Sequence, residues 1–174
     1  MAKSLLAASL SLFLFCWGAS AQQADTEPAA VVELGGAASR SLTQKQSSYG
    51  VDAAIEATPI ENWLELEFGV TPLFARHSVE WDTDLLFKKP WTLSPAAEFM
   101  FGVGPEWIRT RAYGVTANAL GAEAVLDFMF WPRGQHKIGW YLEPSYDYSF
   151  ARGHDRSLGI TAGLLIAIPK RARR

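Results

Sequence analysis

From about residue 30 onward, apolar and polar side chains alternate with a period of two, and that rhythm excludes most folds at once. Side chains of a strand point alternately to its two faces, so each such run reads as a strand with one apolar and one polar face. The clearest run sets Leu158, Ile160, Ala162, Leu164, Ile166 and Ile168 against Gly159, Thr161, Gly163, Leu165 and Ala167. Tyr49, Val51, Ala53, Ile55 and Ala57 stand opposite Gly50, Asp52, Ala54 and Glu56 in the same way. Leu64, Leu66, Phe68 and Val70 oppose Trp63, Glu65, Glu67 and Gly69, while Leu120, Ala122, Ala124, Leu126, Phe128 and Phe130 oppose Gly121, Glu123, Val125, Asp127 and Met129. A helix would scatter those carboxylates around its cylinder. Eight segments of this kind are expected, over approximately 30–38, 48–57, 62–70, 78–87, 95–104, 117–130, 137–150 and 157–168.

The connections also alternate. Pro59-Ile60-Glu61, Lys88-Lys89-Pro90 and Pro132-Arg133-Gly134 read as tight turns. The stretches 39–47, 71–77, 105–116 and 151–156 read as longer loops. Tight turns at one end and longer loops at the other predict an all-β fold, an eight-stranded antiparallel up-and-down barrel.

Placement of charge decides which kind of barrel. Thirteen of the 18 acidic residues fall inside the segments, on the face away from the large apolar side chains: Glu33, Asp52, Glu56, Glu65, Glu67, Glu80, Asp82, Asp84, Glu98, Glu123, Asp127, Glu143 and Asp147. Basic residues are expected to avoid the strand middles and to sit in loops, at strand ends or in the C-terminal tail. A soluble barrel turns its polar face to water and mixes Lys with Glu on it. Here the polar face carries acids interspersed with Gly and Ala, as the narrow interior of eight strands requires. The polar face is therefore predicted to line the lumen and the apolar face to meet lipid. Hydrophobic residues at 49% with a mean hydropathy of only +0.02 fit this interleaving. A net charge of −2 gives no reason to expect nucleic-acid binding.

Aromatic residues are expected to form girdles at headgroup depth. Trp63, Trp91 and Trp131 lie beside the tight turns, and Trp107, Tyr113 and Tyr148 near the longer loops.

The first 21 residues read as a secretory signal, with Lys3, an apolar stretch from Leu5 to Trp17 and the small-x-small pattern Ala19-Ser20-Ala21. Cleavage after Ala21 leaves a flexible leader over 22–29, a barrel over 30–169 and a basic tail over 170–174. It also removes the single cysteine, Cys16, so neither disulfides nor thiolate chemistry are expected. The address implied is the outer membrane of a Gram-negative bacterium.

This pattern resembles the small eight-stranded outer-membrane barrels of the OmpA/OmpX-like superfamily. Thr161-Ala162-Gly163-Leu164-Leu165-Ile166-Ala167-Ile168 is similar to the last-strand signal read by barrel-assembly machinery, although such chains usually stop on an aromatic residue. The resemblance implies two partners, outer-membrane lipids and that machinery, and a structural or interaction role, to which the placement of charge adds an acidic, narrow lumen. Some barrels of this size modify lipids with a His beside a Ser or an acid at the loop-side rim. His77-Ser78 and His154-Asp155 with Ser157 are the weak candidates for such a site. The more ordinary reading of them is solvated loop residues, and His136 near a tight turn is weaker still. The other alternative is a soluble periplasmic ligand-binding barrel. No cofactor and no metal are expected. The lumen acids, Glu65, Glu67, Glu80, Asp82, Asp84, Glu98, Glu123, Asp127, Glu143 and Asp147, are expected to be hydrated, with some protonated and with Arg or Lys reaching in from the ends.

Overall fold

A computed structural model describes residues 28–132 and 137–170. The signal, most of the leader, the Arg133–His136 part of one turn and the tail beyond Lys170 lie outside the described residues. The eight strands are β1 (Ala30–Ser41), β2 (Ser47–Ile60), β3 (Leu64–Ala75), β4 (Ser78–Ser94), β5 (Ala97–Ala112), β6 (Val115–Phe130), β7 (Ile138–Ser149) and β8 (Arg156–Ile168). Each pairs antiparallel with the next, and β8 returns to β1 in unbroken register from Ala30↔Ile168 to Ser41↔Ser157, so the sheet closes with no free edge. Closure satisfies every strand edge, the condition a sheet must meet in lipid.

The two faces divide as the alternation predicts. Leu34, Val51, Ile55, Phe68, Leu85, Phe101, Leu126, Leu142, Ile160 and Leu164 are exposed on the outside. Glu33, Asp52, Glu56, Glu65, Glu67, Asp84, Asp127 and Glu143 are buried inside. A bare apolar exterior of this extent belongs against hydrocarbon, not water.

Connections depart from expectation. The stretches 71–77 and 105–116 are mostly strand, and β3–β4 and β5–β6 are joined by the two-residue turns Arg76-His77 and Tyr113-Gly114. Tyr113 and Gly114 both have positive φ, 50° and 81°, as the turn that matches strand twist demands. Proline within these stretches does not break the strands. Pro72, Pro105 and Pro144 all lie within strands, each beside a gap in the ladder on one side: Gly50↔Leu73 to Ala53↔Val70, Asp84↔Glu106 to Phe87↔Val103, and Val125↔Ser145 to Phe128↔Leu142. On the other side each keeps its pairing, with Trp81, Ala122 and Ile160. The missing N–H thus falls where no ladder bond is made.

Lys88-Lys89-Pro90 is likewise not a turn. It lies within β4, which runs on to Ser94 before turning at Pro95-Ala96. Ordinary alternation then points Lys88 inward.

Candidate functional site: the layered lumen

Inward-facing residues come in layers, because each step of two along a strand moves one level up the barrel. At the tight-turn end, Val31, Met100, Met129, Trp131, Tyr141 and Leu165 pack into an apolar floor. Trp131 is only 2% exposed, so it is a floor residue and not part of the membrane girdle. It shares parity with Asp127 and Met129, the lumen face of β6. Trp63 and Trp91 are exposed at that end, and Trp91 stacks on Phe99.

Two residues above Val31, Met129 and Tyr141 on their own strands stand Glu33, Asp127 and Glu143, each buried. Glu56 of β2 and Glu67 of β3, directly paired across the ladder, complete a ring of carboxylates. Oxygens of Glu33, Glu56, Glu67 and Asp127 lie within 4.8 Å of one another, a grouping that could hold a metal ion. Its centre is taken by the fully buried ammonium of Lys88. Lys88 Nζ lies 2.6 Å from Glu143 Oε2, 2.9 Å from Asp127 Oδ2 and 3.9 Å from Glu56 Oε2, and it also contacts Glu67 Oε2. The expectation that bases avoid strand middles fails here. A buried carboxylate ring needs a cation at its centre, and Lys88 supplies it from mid-strand, not from an end. Gly102 of β5 makes the room, since a Cβ there would come within 2.8 Å of both Lys88 Cγ and Val125 Cγ2. Tyr141 reaches up from the floor and donates to Asp52 Oδ2 at 2.6 Å, and Thr71 donates to Asp52 Oδ1 at 2.7 Å.

Above this layer the lumen widens into a cavity of about 450 Å³ that reaches the loop end. Glu80, Asp82, Asp84, Glu106, Glu123 and Asp147 line it, together with Asp155 and a set of Ser and Thr hydroxyls. Glu106 lies in the stretch 105–116, expected as a loop; as part of β5 it points inward and is 5% exposed. Two acid pairs face each other directly across the ladder, Asp84↔Glu106 and Glu123↔Asp147. Thr110 donates to Glu80 at 2.8 Å. Glu65 and Glu98 lie lower, inward at the tight-turn end of β3 and β5.

The weak catalytic candidates are not assembled into a relay by any hydrogen bond. His77 is exposed and stacks on Tyr113. His154 Nδ1 lies 3.0 Å from the Tyr148 hydroxyl. Asp155 accepts from Ser41 at 2.8 Å and from Gln44 at 3.1 Å, and Ser78 and Ser157 contact neither His through a hydrogen bond. Trp107, Tyr113 and Tyr148 do lie at the loop end, with Trp107 and Tyr113 exposed.

These features define an eight-stranded barrel of the outer-membrane type. Comparison with solved structures agrees. The chain is similar to Neisserial surface protein A, with a TM-score of 0.64 and 14% identity over 80% of this chain and 97% of that one. It is similar to Ail, the attachment invasion locus protein of Yersinia pestis, with a TM-score of 0.51 and 14% identity over 81% and 100%. The N-terminal β-barrel domain of OprF from Pseudomonas aeruginosa gives a TM-score of 0.50 and 12% identity over 80% and 98%. At such identities the likeness is one of fold. No protein-family model matches the chain, and no curated protein matches it in sequence.

Proposed function

We propose that this is an outer-membrane protein of a Gram-negative bacterium with a structural or interaction role, neither a catalyst nor a diffusion pore. The observation that carries the reading is the closed lower lumen. An apolar floor beneath a Lys88–carboxylate layer fills the cross-section that a solute would have to pass. Eight strands leave an interior just wide enough for side chains. Reconstitution into planar bilayers tests it: the expected result is no stable conductance from the folded protein, whereas steady ohmic channels would overturn it.

Its outer surface suits a membrane of anionic outer leaflet. Arg40, Arg76, Arg109, Arg111, Arg152 and Arg156 are all exposed at the loop end, where they would meet lipid phosphates above the apolar band. Export would use the N-terminal signal, with cleavage after Ala21, and β8 would present its small-residue and aliphatic pattern to assembly machinery. Recovery in the soluble periplasm on fractionation would sink the membrane placement and restore the ligand-binding alternative. With loops this short, interactions fall to small epitopes such as the His77–Tyr113 stack. The lipid-modifying alternative gains no support from His77 or His154, since neither is bonded to a nucleophile or an acid. An altered lipid A or phospholipid acyl profile on replacing both would revive it.

A further inference from the structure

We propose that the upper lumen is a binding site for a linear aliphatic polyamine. The claim is independent of the closed floor, because an occupied mouth and a blocked passage are separate properties.

Across one ladder in the lower lumen, Glu56 faces Glu67, and this like-charge pair is met by the ammonium of Lys88 on its four-carbon stem. Like charges directly opposite one another in a sheet are destabilising unless something offsets them. Higher on the wall the same motif recurs as Asp84↔Glu106, and Glu123↔Asp147 repeats it on the next two strands. There no cation is supplied. Among the described residues the cavity has one basic lining side chain, Arg152, exposed at the rim and in no ion pair. Glu106 is 5% exposed and its Oε2 has no hydrogen-bond partner; Asp84 is 8% exposed and its Oδ1 has none. Both line the cavity. Buried acceptors without partners call for a donor from outside the chain.

The form of the cavity selects among cations. A bare metal ion needs several carboxylate oxygens close together. Among the described residues that grouping occurs only in the lower ring, where Lys88 already sits. Upper acids are instead strung along β4, with Glu80, Asp82 and Asp84 spaced by about 6.6 Å, two strand residues. Propyl and butyl spacers place successive ammonium groups at comparable intervals. Between the acids, Leu73 and Ile108 offer apolar surface to methylene groups. A volume of about 450 Å³ lies in the range of small-molecule sites.

The test is calorimetric titration of the full barrel, folded in detergent micelles, with the tetra-amine spermine and separately with calcium and magnesium chloride. Saturable one-to-one binding of spermine, at least tenfold tighter than either metal, is expected. The double variant Asp84→Asn/Glu106→Gln should weaken it at least tenfold, and Glu61→Gln, exposed at the opposite end, should leave it unchanged. Heat-modifiable migration in gels confirms that each variant is folded. Should the double variant not fold, carbodiimide coupling of spermine to the unaltered protein decides the matter. Peptides carrying Asp82, Asp84 or Glu106 should be modified at concentrations that spare Glu61. Absence of saturable spermine binding, equal or tighter binding of a metal, unchanged affinity in the double variant, or coupling no more efficient in the lumen than at Glu61 would each overturn the proposal.

Discussion

The lower and upper halves of the lumen are built from the same material and solve the same problem differently. Both carry acids facing each other across a ladder, Glu56↔Glu67 below and Asp84↔Glu106 above. Below, the acids surround a fully buried ammonium and rest on an apolar floor. Above, they face a cavity with no internal cation. Burying carboxylates is therefore not by itself what the fold demands. The lower ring is a cross-brace joining β2, β3, β6 and β7 through one side chain of β4, whereas the upper acids have no shared cation to tie them together.

The largest expected effect comes from removing that brace. Lys88→Met leaves Glu67, Asp127 and Glu143 buried without a partner, and should destabilise the barrel by about 3–5 kcal/mol or prevent folding. Urea unfolding in lipid vesicles, followed by tryptophan fluorescence, measures it. Combining Lys88→Met with Glu67→Gln and Glu143→Gln should recover much of the loss, because two of the three orphaned charges go with it. If the triple variant is no more stable than Lys88→Met, the ring is not the reason Lys88 matters.

A smaller effect is expected at the space that admits the lysine stem. Gly102→Val would drive its side chain into Lys88 Cγ and Val125 Cγ2, and overpacking of this kind costs roughly 1–3 kcal/mol. The same unfolding assay should register that loss without the rescue by Glu→Gln changes that Lys88→Met shows. Rescue here would mean that displacement of the ammonium, not crowding, causes the damage.

Most of this architecture is legible in a period of two, and the places where composition points elsewhere share a cause. Lys88-Lys89-Pro90 has the composition of a turn, yet Lys88 shares parity with Glu80, Asp82, Asp84 and Leu86, and alternation alone would have turned it inward. Trp131 looks like a girdle residue for its chemistry and its place by a turn, yet its parity is that of Asp127 and Met129. Glu106 follows Pro105, yet its parity is that of Glu98, Met100 and Gly102. Composition spoke for a loop and periodicity for a strand, and at each point periodicity prevailed, because closure needs continuous strands while a ladder gap absorbs one missing N–H. What periodicity does not contain is distance around the barrel. That Lys88 of β4 would meet Asp127 of β6 and Glu143 of β7 depends on the barrel's cross-section, which no single strand encodes.

The smallest effect, opposite in sign, comes from the upper half. Glu106→Gln removes a buried carboxylate whose Oε2 has no partner and replaces it with a neutral amide of the same shape facing Asp84. In buffer free of polyamines this should leave stability unchanged or raise it by up to about 1 kcal/mol, since a charge that is buried and unpaired opposes folding. Added spermine should then stabilise the unaltered protein more than the variant, because a ligand that binds only the folded state adds to its stability in proportion to its affinity. A loss of 2 kcal/mol or more in Glu106→Gln would mean that the upper acids brace the barrel as the lower ones do. The contrast between the two halves would then be one of degree.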